Sequence, residues 1–329
     1  MSNYHIRKLE PGEFHLLIPL MKDCFGMDVN INYFQWKFLD NPAGKFEGFV
    51  ALSEHDEVAA YYGVIPEIYD INNIRRTIFQ SGDTMTHSAH RRKGLFFKTA
   101  TRCYNYLREN ERLFVIGFGG KESTPGLEKM QWQHLFRVSY FFKTYYACKL
   151  KKILGMAQAA KEYNINENCD VEDIARLKNQ NRQTQGVLKY FSPELFKWKL
   201  ANPLFDFRKI GVYDGNKKLQ AYIIYCIQNN KMLICDFDEI VPRSNALKLL
   251  FRYVDYSVAE TKYKGVFSFT NDGSDYAKTL RNNGYIVNKF SFGPLKDTIP
   301  FMICTDEDNF KSVNNPKLWN LCPLYHDSF

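Results

Sequence analysis

Several common sequence signatures are missing from this chain of 329 residues. No run of about 18 apolar residues occurs, so no segment is predicted to span a membrane. The N-terminal stretch Met1–Arg7 lacks the apolar core of a signal peptide. The eight cysteines form no Cys-x-x-Cys pair and show no spacing typical of zinc ligands. Most of them lie in apolar runs, and we therefore expect buried free thiols in a reducing cytoplasm.

The motifs of the best-known hydrolases are absent as well. The sequence contains no His-Glu-x-x-His pair, no signature of a Ser-His-Asp triad and no Walker phosphate loop. It therefore predicts neither a metal site nor nucleotide hydrolysis. The net charge of +8 is spread along the chain, which favours an anionic small molecule as substrate or cofactor. Because no nucleic-acid-binding motif is present, we expect no nucleic-acid partner.

The most informative stretch is basic and lies between a predicted strand and a predicted helix. The sequence His90-Arg91-Arg92-Lys93-Gly94-Leu95-Phe96 follows extended sequence over Arg76–Thr86 and precedes apolar residues at helical spacing. Positive side chains are unfavourable at the start of a helix unless an anion binds there. Glycine lets a ligand approach the backbone, and arginine forms strong hydrogen bonds with phosphate. The pattern predicts a pyrophosphate site; a solvated basic turn is the alternative.

This stretch resembles the pyrophosphate loop of the GNAT superfamily of acyl-CoA transferases, whose motif runs Gln/Arg-x-x-Gly-x-Gly/Ala. Arg91 and Gly94 match that motif, whereas Phe96 stands where the family has a small residue. The resemblance implies coenzyme A as co-substrate, with the strand up to Thr86 polarising the thioester carbonyl through its backbone N–H groups. The residues expected to bind coenzyme A are Thr84, Met85, Thr86, Arg91, Arg92, Lys93, Gly94, Leu95, Phe96 and Lys121.

An internal repeat is the second strong pattern. The stretch Phe34–Pro42 returns as Phe196–Pro203, each with a Trp-Lys pair and a terminal Asn-Pro pair. The two tryptophans are 162 residues apart, nearly half the chain, which indicates a duplicated α/β unit. Because the motif recurs in the half without a phosphate loop, we expect it to be structural, although Lys37 could reach an acidic substrate.

The second copy has lost the basic loop. It has the sequence Val241–Ala246 at the matching place, without glycine or an arginine cluster. We therefore expect one cofactor site, in the N-terminal half, with the other half as support and a wall of the acceptor pocket. Strands over 136–142 and 145–150 are predicted to close the first half.

The chain as a whole resembles tandem GNAT proteins. This implies an α/β fold of two tandem GNAT-like domains, each a mixed, mostly antiparallel twisted sheet flanked by helices. The predicted divisions are an acyl-CoA-binding domain over 1–150, a linker over 151–169 and a degenerate second domain over 170–329.

Acyl transfer of this kind needs a neutral acceptor amine, and a nearby base could take its proton. Asp83, beside the expected acyl position, is the first candidate, and His87 is the second because its unperturbed pKa suits the task. Asp83 could instead be a turn carboxylate or bind a substrate hydroxyl, and His87 could be an exposed loop residue. No tyrosine occurs over 119–131, so no general acid is assigned to the departing thiolate. The acidic stretch Asp236–Glu239 could hold a substrate ammonium group or form a solvated loop.

The length, the two GNAT copies and the repeated motif look like those of bacterial nucleotide-sugar N-acyltransferases. The resemblance implies transfer of an acetyl or 3-hydroxybutyryl group to a nucleotide-linked, dTDP-type amino-deoxy sugar for O-antigen or capsule synthesis. The expected partners are acyl-CoA and that sugar, without nucleic acid, membrane or metal. Two alternatives stay open, namely a Fem-like aminoacyl-tRNA-dependent peptide transferase and a non-catalytic tandem-GNAT binding protein.

Overall fold

A single mixed sheet of 14 strands runs through the molecule, with helices on its faces. The computed structural model describes residues 3–159, 164–180, 186–241, 245–288 and 295–328. Most neighbouring strands are antiparallel, while β4–β5 and β11–β12 are parallel. The predicted α/β class and the mostly antiparallel sheet are therefore confirmed.

The N-terminal half contains six strands, β1 (His5–Lys8), β2 (Glu47–Leu52), β3 (Val58–Ile71), β4 (Ile74–Thr86), β5 (Phe114–Phe118) and β6 (Gln133–Thr144). Its helices are α1 (Leu17–Phe25), α2 (Ile31–Phe34, continued as a π-helix over Gln35–Leu39), α3 (Leu95–Glu109), α4 (Thr124–Lys129) and α5 (Tyr145–Ile153). Short 3-10 turns lie at Pro11–Leu16 and Ser88–His90.

The C-terminal half contributes β7 (Ile165–Asn166), β8 (Val187–Lys189), β9 (Arg208–Tyr213), β10 (Leu219–Gln228), β11 (Lys231–Glu239), β12 (Gly265–Asn271), β13 (Ile286–Val287) and β14 (Ile299–Thr305). Its helices are α6 (Val171–Gln180), α7 (Pro193–Leu200), α8 (Asn245–Thr261), α9 (Asp275–Asn282) and α10 (Glu307–Val313). Two 3-10 turns at Pro316–Leu318 and Pro323–Tyr325 precede the C-terminus.

Local sequence explains the elements around the basic stretch. The hairpin of β3 and β4 turns at Asn72 and Asn73, whose φ angles are 49° and 67°; asparagine tolerates this left-handed conformation, which suits a two-residue hairpin turn. Helix α3 buries its apolar residues Leu95, Cys103 and Leu107 against β2 and β3. This packing holds the start of α3 beside the end of β4.

The two halves exchange strands at the centre of the sheet. Strand β14 of the second half lies between β5 and β6 of the first half, and β6 pairs in turn with β12 of the second half. Strands on either side of the predicted linker are therefore hydrogen-bonded to each other. The domain boundaries near residues 150 and 170 stay a prediction.

The repeated tryptophans meet at the contact between the halves. The rings of Trp36 and Trp198 stack with centroids 5.4 Å apart. The indole N–H of each donates to the main-chain carbonyl of the other, at 2.6 and 2.7 Å. This reciprocal arrangement agrees with the structural role expected for the repeat.

One predicted strand is wrong. Residues 145–153 form helix α5, although Tyr145 and Tyr146 favour a strand. Thr144 caps the helix by accepting a hydrogen bond from the backbone N–H of Ala147 at 3.3 Å, and α5 then packs against α8. A cap and a tertiary contact thus override a weak local preference.

The cysteines are free thiols, as predicted, and seven of the eight are buried. Among the described residues, no helix is long and apolar enough to cross a membrane.

Candidate active site

Strands β4 and β5 separate at their C-terminal ends. They are parallel and pair only at Phe79–Val115 and Gln80–Ile116. Beyond these pairs β4 continues beside β3 to Thr86, and β5 continues beside β14 to Phe118. The carboxyl ends of diverging parallel strands are a common place for ligands in α/β sheets, and we call this opening the β4–β5 gap.

A bulge in β4 borders the gap. Tyr61 pairs with Met85 and Gly63 pairs with Gly82, so Asp83 and Thr84 both lie opposite Tyr62. Asp83 has a φ of 49°, which is uncommon for a residue other than glycine. A bulge interrupts the ladder of hydrogen bonds and turns its side chains to new directions. Left-handed backbone of this kind is often found at functional sites.

The basic loop forms the predicted corner between strand and helix. Chain direction changes through the 3-10 turn Ser88–His90, and Gly94, with a φ of 74°, stands just before the first turn of α3. A Cβ added at Gly94 would have nothing within 4 Å among the described atoms. Within the same described residues no side chain caps α3. The first N–H groups of the helix are therefore free to bind an anion.

The basic side chains of the loop differ in their surroundings. Arg91 and Arg92 are exposed, and Arg91 Nε donates to the carbonyl of Thr86 at 3.4 Å. Lys93 Nζ donates to the hydroxyl of Tyr4 at 2.9 Å. The two arginines thus lie at the surface beside the uncapped helix, which fits a pyrophosphate.

The remaining residues predicted to bind coenzyme A differ in how far their side chains are buried. Met85 and Leu95 are buried, so only their backbone atoms can face a ligand. Phe96 packs against Tyr62, with centroids 6.1 Å apart, and covers the face of α4 where Gly126 leaves room for its ring. Its bulk therefore points into the core, away from the loop. Lys121 is exposed in the turn after β5.

Asp83 belongs to a buried ionic cluster. Lys37 Nζ lies 2.7 Å from Asp83 Oδ2 and 3.4 Å from Asp327 Oδ2, and the three side chains are at most 9% exposed. The hydroxyl of Tyr33 donates to both carboxylate oxygens of Asp83 at 3.4 Å and accepts from Lys37 at 3.3 Å. We call Tyr33, Lys37, Asp83 and Asp327 the Lys37 cluster. Among the described residues it holds one lysine against two carboxyl groups.

Burial and nearby charges shift the pKa values of the two carboxyl groups in opposite directions. Burial raises the pKa of Asp83, and the positive charge of Lys37 offsets this only in part. Burial acts upward at Asp327 too, but Lys37 and His326 outweigh it and hold the pKa of Asp327 below its usual value. Asp83 is therefore the better proton acceptor of the pair.

The C-terminal segment closes one side of the β4–β5 gap. The side chain of Gln80 donates to the carbonyl of Tyr325 at 3.0 Å. The ring of His326 lies 4.4 Å from that of Phe118 at the end of β5. His326 Nδ1 is also 3.2 Å from Asp327 Oδ1. The C-terminal segment thus lines one side of the gap, and its role as a wall of the acceptor pocket stays a prediction.

The two copies of the repeated motif place their lysines in different surroundings. Lys199, the counterpart of Lys37, is fully buried and donates to the carbonyl of His326 at 3.1 Å. Burial lowers the pKa of Lys199 to about 7, whereas the carboxylate of Asp83 overcomes burial and raises the pKa of Lys37. Lys37 is thus held as a cation, whereas Lys199 gains or loses its proton near neutral pH.

His87, the second candidate base, lies at the solvent edge. Its Nδ1 accepts a hydrogen bond from the backbone N–H of Ala89 at 3.2 Å, and its Nε2 is 3.9 Å from Asp23 Oδ1. The structure does not bring it into the Lys37 cluster.

Sequence reasoning missed part of this site. Tyr33 and Lys37 are one helical turn apart, which is a detectable signal, but Lys37 was expected to be structural or to reach an acidic substrate, and its pairing with Asp83 was not predicted. Asp327 carries no local signal. Asp236, expected in a solvated loop or on a substrate, is instead fully buried, and Lys178 and Tyr222 bind its carboxylate at 2.6 and 2.7 Å. Residues 242–244 of the lost loop lie outside the described part of the chain, within which no group of His, Cys, Asp or Glu is placed to hold a metal.

We expect Gly82→Ala to disturb the Lys37 cluster. An added Cβ would lie 2.9 Å from Asp327 Cγ, so the carboxyl group would have to move from Lys37. Overpacking of this kind costs about 1–3 kcal/mol, and turnover should fall with it. Gly12→Ala is the matched control, because its Cβ would meet nothing within 4 Å of described atoms. Equal unfolding free energies for the two variants, measured in urea, would contradict the expected clash.

Residues 5–135 match the family described as Acetyltransferase (GNAT) domain. No curated protein matches the sequence. A conserved protein of unknown function from Enterococcus faecalis V583, named a probable N-acyltransferase, has a TM-score of 0.70 at 12% identity, over 92% of this chain and 72% of its own.

Two other solved structures extend the comparison. A GCN5-related N-acetyltransferase from Anabaena variabilis ATCC 29413 has a TM-score of 0.64 at 12% identity, over 92% of this chain and 72% of its own. Saccharomyces cerevisiae N-myristoyltransferase with bound myristoyl-CoA has a TM-score of 0.62 at 11% identity, over 97% of this chain and 90% of its own. Residues 5–135 are therefore similar to an acetyltransferase (GNAT) domain, and nearly the whole chain shares its overall fold with these proteins.

Proposed function

We propose that this protein is an N-acyltransferase that moves an acyl group from coenzyme A to an amine. The observation that carries the proposal is the position of Asp83. Its carboxylate lies at the bulge beside the β4–β5 gap, on the strand that leads directly into the basic loop and the uncapped start of α3. A site for a pyrophosphate and a proton acceptor for an amine are thus joined by one short segment.

The residues present fit acyl-CoA as co-substrate. Arg91, Arg92 and the first N–H groups of α3 would hold the pyrophosphate, since charge-assisted hydrogen bonds to phosphate are strong. Backbone groups of Thr84–Thr86 would lie along the thioester arm, and Lys121 would reach it from the other side of the gap. Acyl-CoA would supply the acyl group as a thioester, whose carbonyl carbon bonds to the amine nitrogen as the carbon–sulfur bond breaks.

The Lys37 cluster would prepare the acceptor. With two carboxyl groups against one lysine, it attracts the ammonium form of an amine. Asp83, with its raised pKa, would take one proton from that ammonium group. The second proton, which the nitrogen loses as the amide forms, would go to the departing thiolate. Lys37 and Tyr33 hold the carboxylate in place, so they act as positioning residues. His87 would contribute only from the solvent edge of the gap.

We propose a nucleotide-linked amino-deoxy sugar, of the dTDP type, as the acceptor, and an acetyl or 3-hydroxybutyryl group as the acyl unit. The support is the similarity to nucleotide-sugar N-acyltransferases described above, together with the net charge of +8, which favours an anionic nucleotide. The setting would be O-antigen or capsule synthesis in the cytoplasm. In this proposal residues 1–150 bind acyl-CoA, 151–169 link the halves and 170–329 support the acceptor.

Release of free thiol tests the reaction. The protein would be incubated with acetyl-CoA or 3-hydroxybutyryl-CoA and a panel of dTDP-amino sugars, and we expect thiol release only when both substrates are present. Turnover with other amines but with none of the sugars would reject the sugar and keep the acyltransferase. Tight coenzyme A binding without turnover on any amine would favour a binding protein, and co-purification of aminoacyl-tRNA would favour the Fem-like alternative.

We expect Arg91→Ala with Arg92→Ala to weaken coenzyme A binding about tenfold or more, because each lost charge-assisted hydrogen bond contributes roughly 1.5–3 kcal/mol before solvent screening. Calorimetry with coenzyme A measures this directly. Lys248→Ala with Lys311→Ala removes the same charge from exposed helices of the second half and should bind normally. Equal affinity in both double variants would show that the pyrophosphate is held elsewhere.

A further inference from the structure

Helix α5 directs apolar side chains to solvent. Tyr146, Leu150 and Ile153 stand at positions i, i+4 and i+7 and therefore share one helix face; they are 78%, 56% and 70% exposed. Leu154 and Met156, just beyond the helix, are 61% and 51% exposed. We call these five residues the α5 apolar face. They make up five of the twelve large hydrophobic side chains exposed in the described part of the chain, so exposure is concentrated here.

The helix is firmly packed on its other side. Cys148 is buried, and Lys151 Nζ donates to Asp255 Oδ2 at 3.0 Å and to the carbonyl of Asn283 at 3.2 Å. Asp255 lies on α8, and α5 packs along that helix. The opposite side of α5 is therefore fixed against the protein, and the α5 apolar face is the outer surface of this helix.

The α5 segment itself carries only positive charge, although Lys151 pairs with Asp255 of α8. Residues 145–159 contain three lysines and no acidic residue. Lys149 is exposed, with its amine 5.9 Å from the centre of the Tyr145 ring, whereas Lys152 pairs with Glu260 on α8. Apolar side chains flanked by lysine on a surface helix are typical of helices that lie in the interface of a membrane.

We propose that the α5 apolar face docks onto the surface of a membrane that contains anionic phospholipids. Tyr146, Leu150 and Ile153 would enter the boundary between headgroups and acyl chains, and Lys149 would contact the headgroups. Such contact needs no membrane-spanning helix. The proposal therefore departs from the expectation of no membrane partner, which was based on spanning segments alone. The proposal does not depend on the acyl-transfer reaction.

A second copy of the chain fits this face less well. An isologous contact would bring the same face of both copies together, and α5 has no acidic residue of its own to pair with the exposed Lys149 of the other copy. Five side chains of this size expose on the order of 500 Å² together, below the roughly 800 Å² that each partner buries in a standard interface. Charge and area both favour an anionic lipid surface.

Co-sedimentation of the full chain with vesicles tests the proposal. We expect binding to vesicles of equal parts phosphatidylcholine and phosphatidylglycerol, little binding to phosphatidylcholine alone, and weaker binding in high salt. Leu150→Glu with Ile153→Glu should weaken binding about tenfold or more, since two apolar side chains no longer enter the membrane. Lys149→Glu should weaken it about fivefold or more.

The matched control is Ile74→Glu, which alters an equally exposed apolar residue (56%) at the β3–β4 turn and should leave vesicle binding unchanged. All substituted side chains are exposed, and circular dichroism would verify that each variant folds. The proposal is overturned if the wild-type protein ignores anionic vesicles, binds neutral ones equally well, or if the Leu150–Ile153 double variant binds like wild type. A dimer of the wild-type protein that this double variant abolishes, without vesicle binding, would assign the face to a second copy instead.

Discussion

Asp83→Asn is expected to lower the turnover number about 10²–10⁴-fold, the range typical for loss of a general base. The substitution keeps the shape of the side chain and removes its charge. Coenzyme A affinity should change less than about twofold, because the phosphate-binding loop begins beyond the end of β4. Steady-state kinetics with an acceptor amine, together with calorimetry on coenzyme A, separate the two effects.

The pH profile adds a second readout for Asp83. A base must be deprotonated to act, so wild-type activity should fall as the pH drops through the pKa of Asp83, which burial raises above its ordinary value. The Asp83→Asn variant should lack this acidic limb. The control is Asp70→Asn, which removes a carboxylate bound to Arg75 at the surface of the neighbouring strand and should keep full turnover. Parallel loss of coenzyme A binding and turnover in Asp83→Asn would mark Asp83 as structural.

Lys37→Met is expected to lower the free energy of unfolding by about 3–5 kcal/mol, the usual cost of removing one partner from a buried ion pair. The lysine is 1% exposed and lies against two buried carboxyl groups. Methionine would fill the space and leave both of them without their cation. The deficit should shrink in acid, where the carboxyl groups can take up protons. Urea unfolding of both proteins across pH measures it.

Lys199→Met is the matched control that the internal repeat offers. Lys199 is equally buried, but its amine donates to a main-chain carbonyl and burial lowers its pKa to about 7. Its loss near neutral pH should therefore cost much less than the loss of Lys37. A cost as large as that of Lys37→Met would contradict the assigned charge states.

The stability of Lys199→Met relative to the wild-type protein should also depend on pH, but in the alkaline range. The folded-state pKa of Lys199 lies below its unfolded value of 10.5, so the folded protein binds fewer protons between these values. Relative to Lys199→Met, the wild-type protein should therefore gain stability as the pH rises from about 7 toward 10.5.

Local patterns were enough to predict the basic corner. The β-branched residues of β4, the glycine at position 94 and the helical spacing after it gave the correct succession of strand, loop and helix. The signals for these features lie within a few residues of each other, because backbone conformation and amphipathic spacing are local properties. The same local logic failed at α5, where Thr144 and α8 decided the structure.

The composition of the site could not be predicted in the same way. Lys37 lies 46 residues before Asp83 and Asp327 lies 244 residues after it, and no spacing links positions so far apart. The lysine after the repeated tryptophan was expected to be structural or to reach an acidic substrate, because the local sequence does not indicate its partners. Only packing of the C-terminal segment against Gln80 and Phe118 brings Asp327 to Lys37.

The sequence by itself determined the fold class, the duplication, the free thiols and the strand-to-helix corner that carries the basic loop. The tertiary structure decided which charges meet, how far the pKa values of the two repeated lysines differ, and that the halves exchange strands. The physical reason is the distance along the chain over which each effect acts. Propensity, capping and periodicity act over a few residues, whereas desolvation and Coulomb interactions depend on what the folded chain places within a few ångströms of each group.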